Sequence, residues 1–310
     1  MRIVFMGTPD FAVPVLRRLS GTHTVLAVVT QPDRPKGRGF TVQYSAVKAC
    51  ALDLSIPVLQ PASLVDKAIH TTLKELCADV FVVLAYGRLL PPSVLSIPPF
   101  GCINIHASLL PKYRGAAPMQ HAIMNGETKT GITVMRMAKA IDTGDMLLQR
   151  EIPIGVDDTF GTVHDKMSAM GCDCIIEALS LIESGRAKFT PQDHSLATLA
   201  PAIERRHCRI DWTQPSRKII DLIRALDPWP GSFTEYMGQQ WKIWRCIPWV
   251  GEAEPARPGT IIAVDPALGI AVKTGDGAVA ITKMQGEGGK RMSAQSYLRG
   301  HAVMTDESLV

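Results

Sequence analysis

The sequence predicts an α/β protein: a Rossmann-like doubly wound parallel sheet followed by a C-terminal OB-like β-barrel domain. Three observations predict it. Short apolar runs alternate with helically spaced segments from the start of the chain to Ser184, as in a parallel sheet covered by helices. The run Asp79–Ala85 (DVFVVLA) is apolar on both faces, as a central parallel strand must be. Beyond Arg209 the helical spacing gives way to short strand-like runs broken by glycine and proline, and all five tryptophans lie there.

The elements follow in order. Arg2–Met6 is an apolar strand, Gly7-Thr8-Pro9-Asp10 a turn, and Phe11–Leu19 a helix. That turn has one glycine, so it lacks the dinucleotide pattern G-x-G-x-x-G; its amides serve either as an anion cradle or as a plain structural turn. Thr24–Thr30 is a second buried strand, ending in Gln31 rather than an acidic residue. An NAD-dependent oxidoreductase needs both missing features, so that class is set aside. Gln31–Gly39 carries Arg34, Lys36 and Arg38 among prolines and glycines and is read as an irregular basic loop. Val47–Leu54 and Leu64–Leu76 read as helices around a short strand at Val58-Leu59. Gly131–Met137 and Asp145–Glu151 are strands flanking the tight turn of Asp142, and Thr159–Ser184 is a long helix.

The polar, proline-flanked stretch from Lys188 to Pro201 reads as a linker. One helix, Ser216–Ala225, then precedes five short strands: Ser232–Tyr236, Gln240–Arg245, Gly259–Val264, Gly269–Lys273 and Ala278–Met284. The expected domains are therefore 1–188, 189–208 as linker, and 209–310. The length of 310 residues agrees, at about 150 residues per domain.

Composition narrows the class. At 46% apolar and 20% charged residues, the chain suits a globular protein that buries a core without staples. Its seven cysteines are scattered; Cys172 and Cys174 form a lone C-x-C with no second pair to complete a zinc pattern. They read as free thiols of a reducing compartment, and the expected location is cytoplasmic. MRIVFMGTPDF meets glycine and proline too early for a signal peptide, and no apolar run approaches the roughly 18 residues of a membrane span. The net charge of +4 permits an anionic partner without demanding one. No metal site is indicated, and a monomer is expected because no long apolar stripe is left over.

The chemistry concentrates in GCINIHASLLPKYRGAAP, Gly101–Pro118. Cys102–Ile105 reads as a strand, whereas Pro111, Gly115 and Pro118 keep the remainder irregular. Asn104 and His106, two apart, point to one side at the carboxyl end of a sheet, where ligands of open α/β sheets bind. An amide can stabilise an oxyanion, an imidazole can move protons near neutral pH, and a carboxylate such as Asp142 can orient the imidazole. With no nucleophile in an elbow motif, this trio suits direct acyl transfer between two bound substrates; a structural rim histidine is the other reading of the same residues.

These motifs, with GTPDF, TQPDRPKGRG, VVLAYGRLLP, IDTGDM, RIDW, DPWPGSF and KRMSAQSYLRG, resemble those of the methionyl-tRNA formyltransferases, within the folate-dependent formyltransferase superfamily, over nearly the whole chain. The resemblance implies a 10-formyltetrahydrofolate donor and, as partner, initiator methionyl-tRNA, whose methionine α-amino group accepts the formyl. It implies that Asn104 holds the tetrahedral oxyanion, that His106 stabilises it and moves protons, and that Asp142 orients His106 and the amine. It implies folate binding by Ser108, Leu109, Leu110 and Pro111 beside Tyr86, tRNA contact by Arg38 with Lys36 and Arg34, and a tRNA-binding role for the C-terminal barrel. Ala138-Lys139-Ala140 stands where the family usually carries Asp-x-Gly, which removes backbone freedom next to Asp142. The alternatives are a formyltransferase acting on a small amine or amino-sugar and a non-catalytic tRNA-binding module. The second has no use for N-x-H paired with D-T-G-D.

Overall fold

A computed structural model describes residues 1–36, 41–251 and 255–310. These pack as two compact units, 1–118 with 129–152 and 164–201, and 119–128 with 153–163 and 202–310. The stretch 189–208 is thus divided: residues to Pro201 belong to the first unit, and residues from Ala202 to the second.

The elements up to Pro201 are β1 (Arg2–Gly7), α1 (Val13–Ser20), β2 (Thr24–Val29), β3 (Arg34–Lys36), β4 (Thr41–Gln43), α2 (Ala46–Asp53), β5 (Val58–Leu59), α3 (Lys67–Glu75), β6 (Val80–Leu84), α4 (Pro92–Leu95), β7 (Cys102–His106), α5 (Pro118–Met124), β8 (Lys129–Arg136), β9 (Met146–Pro153) and α6 (Phe160–Glu183), of which α5 from Met119 and the start of α6 to Val163 belong to the second unit. Seven strands form one sheet in the order β5-β2-β1-β6-β7-β8-β9. The pairs β5–β2, β2–β1, β1–β6 and β6–β7 are parallel, and β8 joins β7 antiparallel. The order reverses direction at β1, the doubly wound pattern. Every residue of β6 and β7 is buried: β6 is a continuous apolar run, as a central strand requires, whereas β7 buries Asn104 and His106 among its apolar residues. One side of the sheet packs Val4, Met6, Phe81 and Val83 against Leu64 and Leu73.

Two local expectations are corrected. Gln31–Gly39 is not irregular throughout: β3 pairs antiparallel with β4, Arg34 opposite Gln43 and Lys36 opposite Thr41. Proline at β3 is tolerated because this ribbon has two strands, both of them edges. The helix expected from Leu64 begins at Lys67, because the Asp66 side chain accepts the Ala68 N–H and caps it there.

The second unit contains α7 (Ser216–Ala225), β10 (Ser232–Tyr236), β11 (Gln239–Pro248), β12 (Ile261–Asp265), β13 (Gly269–Lys273), β14 (Ala278–Gln285), β15 (Met292–Ser293) and α8 (Ala294–Leu298). The antiparallel sheet runs β10-β11-β14-β13-β12, with β15 beside β14. Its two edges are joined by the residues after Asp306. Val310 and Glu235 exchange both backbone hydrogen bonds, at 2.8 and 2.9 Å, while Leu309 donates to Gly259 and Ile261 to Glu307. The sheet therefore closes on itself, as the OB-like barrel requires. Trp241 is fully buried in its core, 4.2 Å from Tyr236 and 5.3 Å from Tyr297 between ring centres. Such pairs contribute about 0.5–1.5 kcal/mol each beyond their burial.

Candidate active site

Asn104 and His106 leave the C-terminal end of β7, held between Val83 of β6 and Met135 and Thr133 of β8. Both are buried, at 8% and 5% exposure. Among the described residues the Asn104 amide has no hydrogen-bond partner, whereas His106 is held on both sides. Its Nε2 lies 2.9 Å from the Tyr113 carbonyl oxygen. A carbonyl can only accept, so Nε2 carries the hydrogen. Nδ1 lies 3.6 Å from Asp142 Oδ2, close enough for an ion pair but too far for a hydrogen bond. His106 Nδ1 is thus the ring atom left to receive a second proton.

Asp142 has a left-handed backbone (φ 50°) in the turn between β8 and β9. Short polar side chains tolerate that region. Its Oδ2 accepts the Gly115 N–H at 2.9 Å. Neither Ala138 nor Ala140 takes a positive φ, so the missing family glycine leaves no strain at those positions. His106 and Asp142, 36 positions apart in the sequence, do meet, and Asn104 lies two residues before His106 on the same strand.

The SLLP segment is built from its backbone. Thr133 Oγ1 donates to the Ser108 carbonyl (2.6 Å) and accepts the Leu110 N–H (3.1 Å), and Gln149 Nε2 donates to the Leu110 carbonyl (2.8 Å). The Ser108 hydroxyl is used within the loop, donating to the Lys112 carbonyl at 2.6 Å. Ser108 and Leu110 are buried; Leu109 and Pro111 are half-buried, and the Leu110–Pro111 bond is cis.

Tyr86 lies one residue past the left-handed Ala85 that ends β6. Its ring belongs to the apolar core at 1% exposure, and burial raises the phenol above its usual range. Its carbonyl accepts from Thr8 Oγ1 and Gln31 Nε2, both at 3.0 Å. The turn GTPDF therefore has a structural use: it holds the Tyr86-Gly87 corner. Beside that corner, residues 62–65 and 88–92 and Lys139 line an open cleft of about 490 Å³.

Arg38 falls outside the described residues; Arg34 and Lys36 lie on β3. The root of this ribbon is tied down. Asp33 Oδ2 pairs with Lys48, Asp33 Oδ1 accepts from Gln60 at 2.8 Å, and Lys48 sits over the Tyr44 ring. Hydrogen bonds from Lys48, and then from Gln60, hold the Asp33 carboxyl below its usual range. Of the basic residues of the second unit, Arg291 is engaged structurally, forking onto both Asp227 oxygens at 2.7 and 2.6 Å under the Trp244 ring. Lys290 and Arg299 are exposed.

Sequence reasoning missed one group, the stretch 190–200. Thr190 exchanges backbone hydrogen bonds with Met146, Thr198 accepts from the N–H groups of Tyr113 and Arg114, and Ala200 donates to the Arg114 carbonyl. Gln192 is buried within it. No periodic signal marks such a strap.

The formyl transferase family matches residues 1–179, and the formyl transferase C-terminal domain matches 202–302. The methionyl-tRNA formyltransferase of Desulforamulus reducens is 46% identical over 301 residues, covering 97% of this chain and 95% of its own. That of Caldanaerobacter subterraneus subsp. tengcongensis is 48% identical over 307 residues, covering 98% of each chain. The chain belongs to the methionyl-tRNA formyltransferase family. Among solved structures, HypX from Aquifex aeolicus matches with a TM-score of 0.66 at 20% identity, over 97% of this chain and 49% of that one. WlaRD, a sugar 3N-formyl transferase, matches with a TM-score of 0.66 at 20% identity, over 93% of this chain and 97% of that one. These two show the shared fold. Among the described residues no side-chain cluster could hold a metal ion and no helix is long and apolar enough to cross a membrane.

Proposed function

We propose that this enzyme transfers the formyl group of 10-formyltetrahydrofolate to the α-amino group of methionyl-initiator tRNA, by direct attack. The observation that carries the chemistry is the buried Asn104 amide, without a hydrogen-bond partner among the described residues, two positions before a His106 ring held between the Tyr113 carbonyl and Asp142. The amine nitrogen attacks the formyl carbon and a C–N bond forms. The carbonyl electron pair moves onto oxygen, where the Asn104 amide stabilises it. His106 Nδ1 takes a proton from the amine and returns one to N10 of the folate as the old C–N bond breaks. Asp142 faces the ring atom that carries this proton. Burial of the pair keeps competing water away and strengthens the donor's effect.

The folate would lie against the SLLP loop, with Ser108 shaping the loop from within, Leu109, Leu110 and Pro111 as apolar wall, and Tyr86 fixing the neighbouring corner. Arg34, Lys36 and Arg38 would meet the acceptor end of the tRNA, since a polyanion needs cations placed along its phosphates. The domain roles follow: 1–188 catalytic, 189–208 connecting, 209–310 binding tRNA. A cytoplasmic monomer working beside the translation machinery fits this role.

The test is formyl transfer from 10-formyltetrahydrofolate to charged initiator tRNA, with glycinamide ribonucleotide and an amino-sugar nucleotide as competing acceptors. Wild type should formylate the tRNA only, and His106→Ala should lose about 10²–10⁴-fold in kcat. Transfer to a small acceptor in place of tRNA would overturn the substrate; full activity of His106→Ala would overturn the proton route.

A further inference from the structure

The side chain of Gln192 spans the two loops that hold the catalytic pair. Its Nε2 donates to the carbonyl oxygens of Asp142 (2.9 Å) and Gly144 (2.8 Å), the backbone of the turn that carries the Asp142 carboxylate. Its Oε1 accepts from Arg114 Nη2 (2.6 Å) and Nε (3.2 Å). Arg114 directly follows Tyr113, whose carbonyl holds His106 Nε2. Two carbonyls on one side can only accept and a guanidinium on the other can only donate, so chemistry fixes which end of the amide is which. Gln192 and Arg114 are 6% and 9% exposed. Arg114 is itself held by His194 Nδ1 at 2.8 Å.

We infer that Gln192 is a positioning residue for catalysis, setting the distance between Asp142 and His106 by bridging the turn that carries Asp142 and the loop whose Tyr113 carbonyl holds His106. This rests on the transfer mechanism above. A buried amide with four of its hydrogen bonds aimed at these two segments is well suited to the task. Asp142 and Tyr113 both have left-handed backbones (φ 50° and 62°), which persist only where the surrounding structure holds them.

Gln192→Glu isolates the role. It keeps the length and the Arg114 acceptor, but sets a carboxylate oxygen against the Asp142 and Gly144 carbonyls. A misplacement of about 1 Å costs on the order of 10²-fold. Gln192→Glu should therefore lower kcat by about 10–100-fold, with both KM values within about threefold of wild type and cooperative melting retained. The effect should vanish in a His106→Ala background, because an aligned partner has no value once the ring is gone. Imidazole ¹⁵N resonances of His106, read without substrate, should move in Gln192→Glu. Gln192→Met, which removes donors and acceptor together, serves the same cycle if the glutamate variant does not fold. Equal losses from Gln192→Glu in wild-type and His106→Ala backgrounds, or unmoved His106 resonances, would overturn the role. Wild-type protein that transfers no formyl group would instead overturn the proposed function, and the resonance measurement would still judge the positioning.

Discussion

Gly115 and Asp142 both have positive φ, 127° and 50°, and they are hydrogen-bonded to each other. The Gly115 N–H fixes the carboxylate that faces His106, and a Cβ on Gly115 would stand 2.6 Å from the Ala200 carbonyl oxygen. Gly115→Ala therefore meets both backbone strain and a clash with main chain. It should lose about 1–3 kcal/mol of stability and lose formyl transfer more steeply than stability. Urea unfolding and turnover of the same preparation check both; a wild-type midpoint with full turnover would contradict the account. The place of Asn104 and His106 at the end of a strand was legible in the sequence, because two residues apart on a strand share a side and the prolines after them mark where the strand ends. Gln192 was not, because its partners lie 48–78 residues away and an isolated glutamine in a polar stretch carries no spacing that identifies it.

At the scale of elements, the ribbon β3–β4 is anchored by groups outside it. Lys48 of α2 and Gln60, just past β5, grip Asp33 immediately before β3. The Asp33 carboxyl is held below its ordinary value of 3.8, chiefly by the Lys48 hydrogen bond. A depressed folded-state value stabilises the fold above the unfolded value and loses that effect as pH falls through the folded one. Wild type should thus be more stable than Lys48→Met at pH 6, and the gap should shrink as pH falls below about 4. Denaturant titrations from pH 3 to 7 read this directly; a pH-independent gap would mean the Lys48 contribution is packing alone. The ribbon was hidden in the sequence because proline and glycine argue against strands and the pairing that overrides them is between residues five to nine apart. The strands of both sheets, by contrast, were visible wherever they are buried on both faces or broken by glycine. Arg2–Gly7, Ser232–Tyr236 and Gly269–Lys273 fall where the apolar runs place them.

The whole molecule depends on late segments of the chain. Residues 307–310 close the barrel by joining β10 to the segment that opens β12, and the stretch 190–200 threads past the loop at Tyr113–Gly115. Neither contact is local, so neither could be read from periodicity. In the strap, Gln192 lies 50 residues after Asp142, and Ala200 lies 8 residues later still. A chain emerging from the ribosome presents Asn104, His106 and Asp142 well before the residues that hold them in register. N-terminal segments fold first during synthesis, so β1–β9 can assemble while the active site is still open. A nascent chain stalled with Lys188 just outside the exit tunnel should be cut by protease at Tyr113–Ala117. One stalled with Ala202 outside should resist. Completion of the site is then a timed event in biosynthesis, set by the arrival of about a dozen residues that follow Asn104, His106 and Asp142 in the chain.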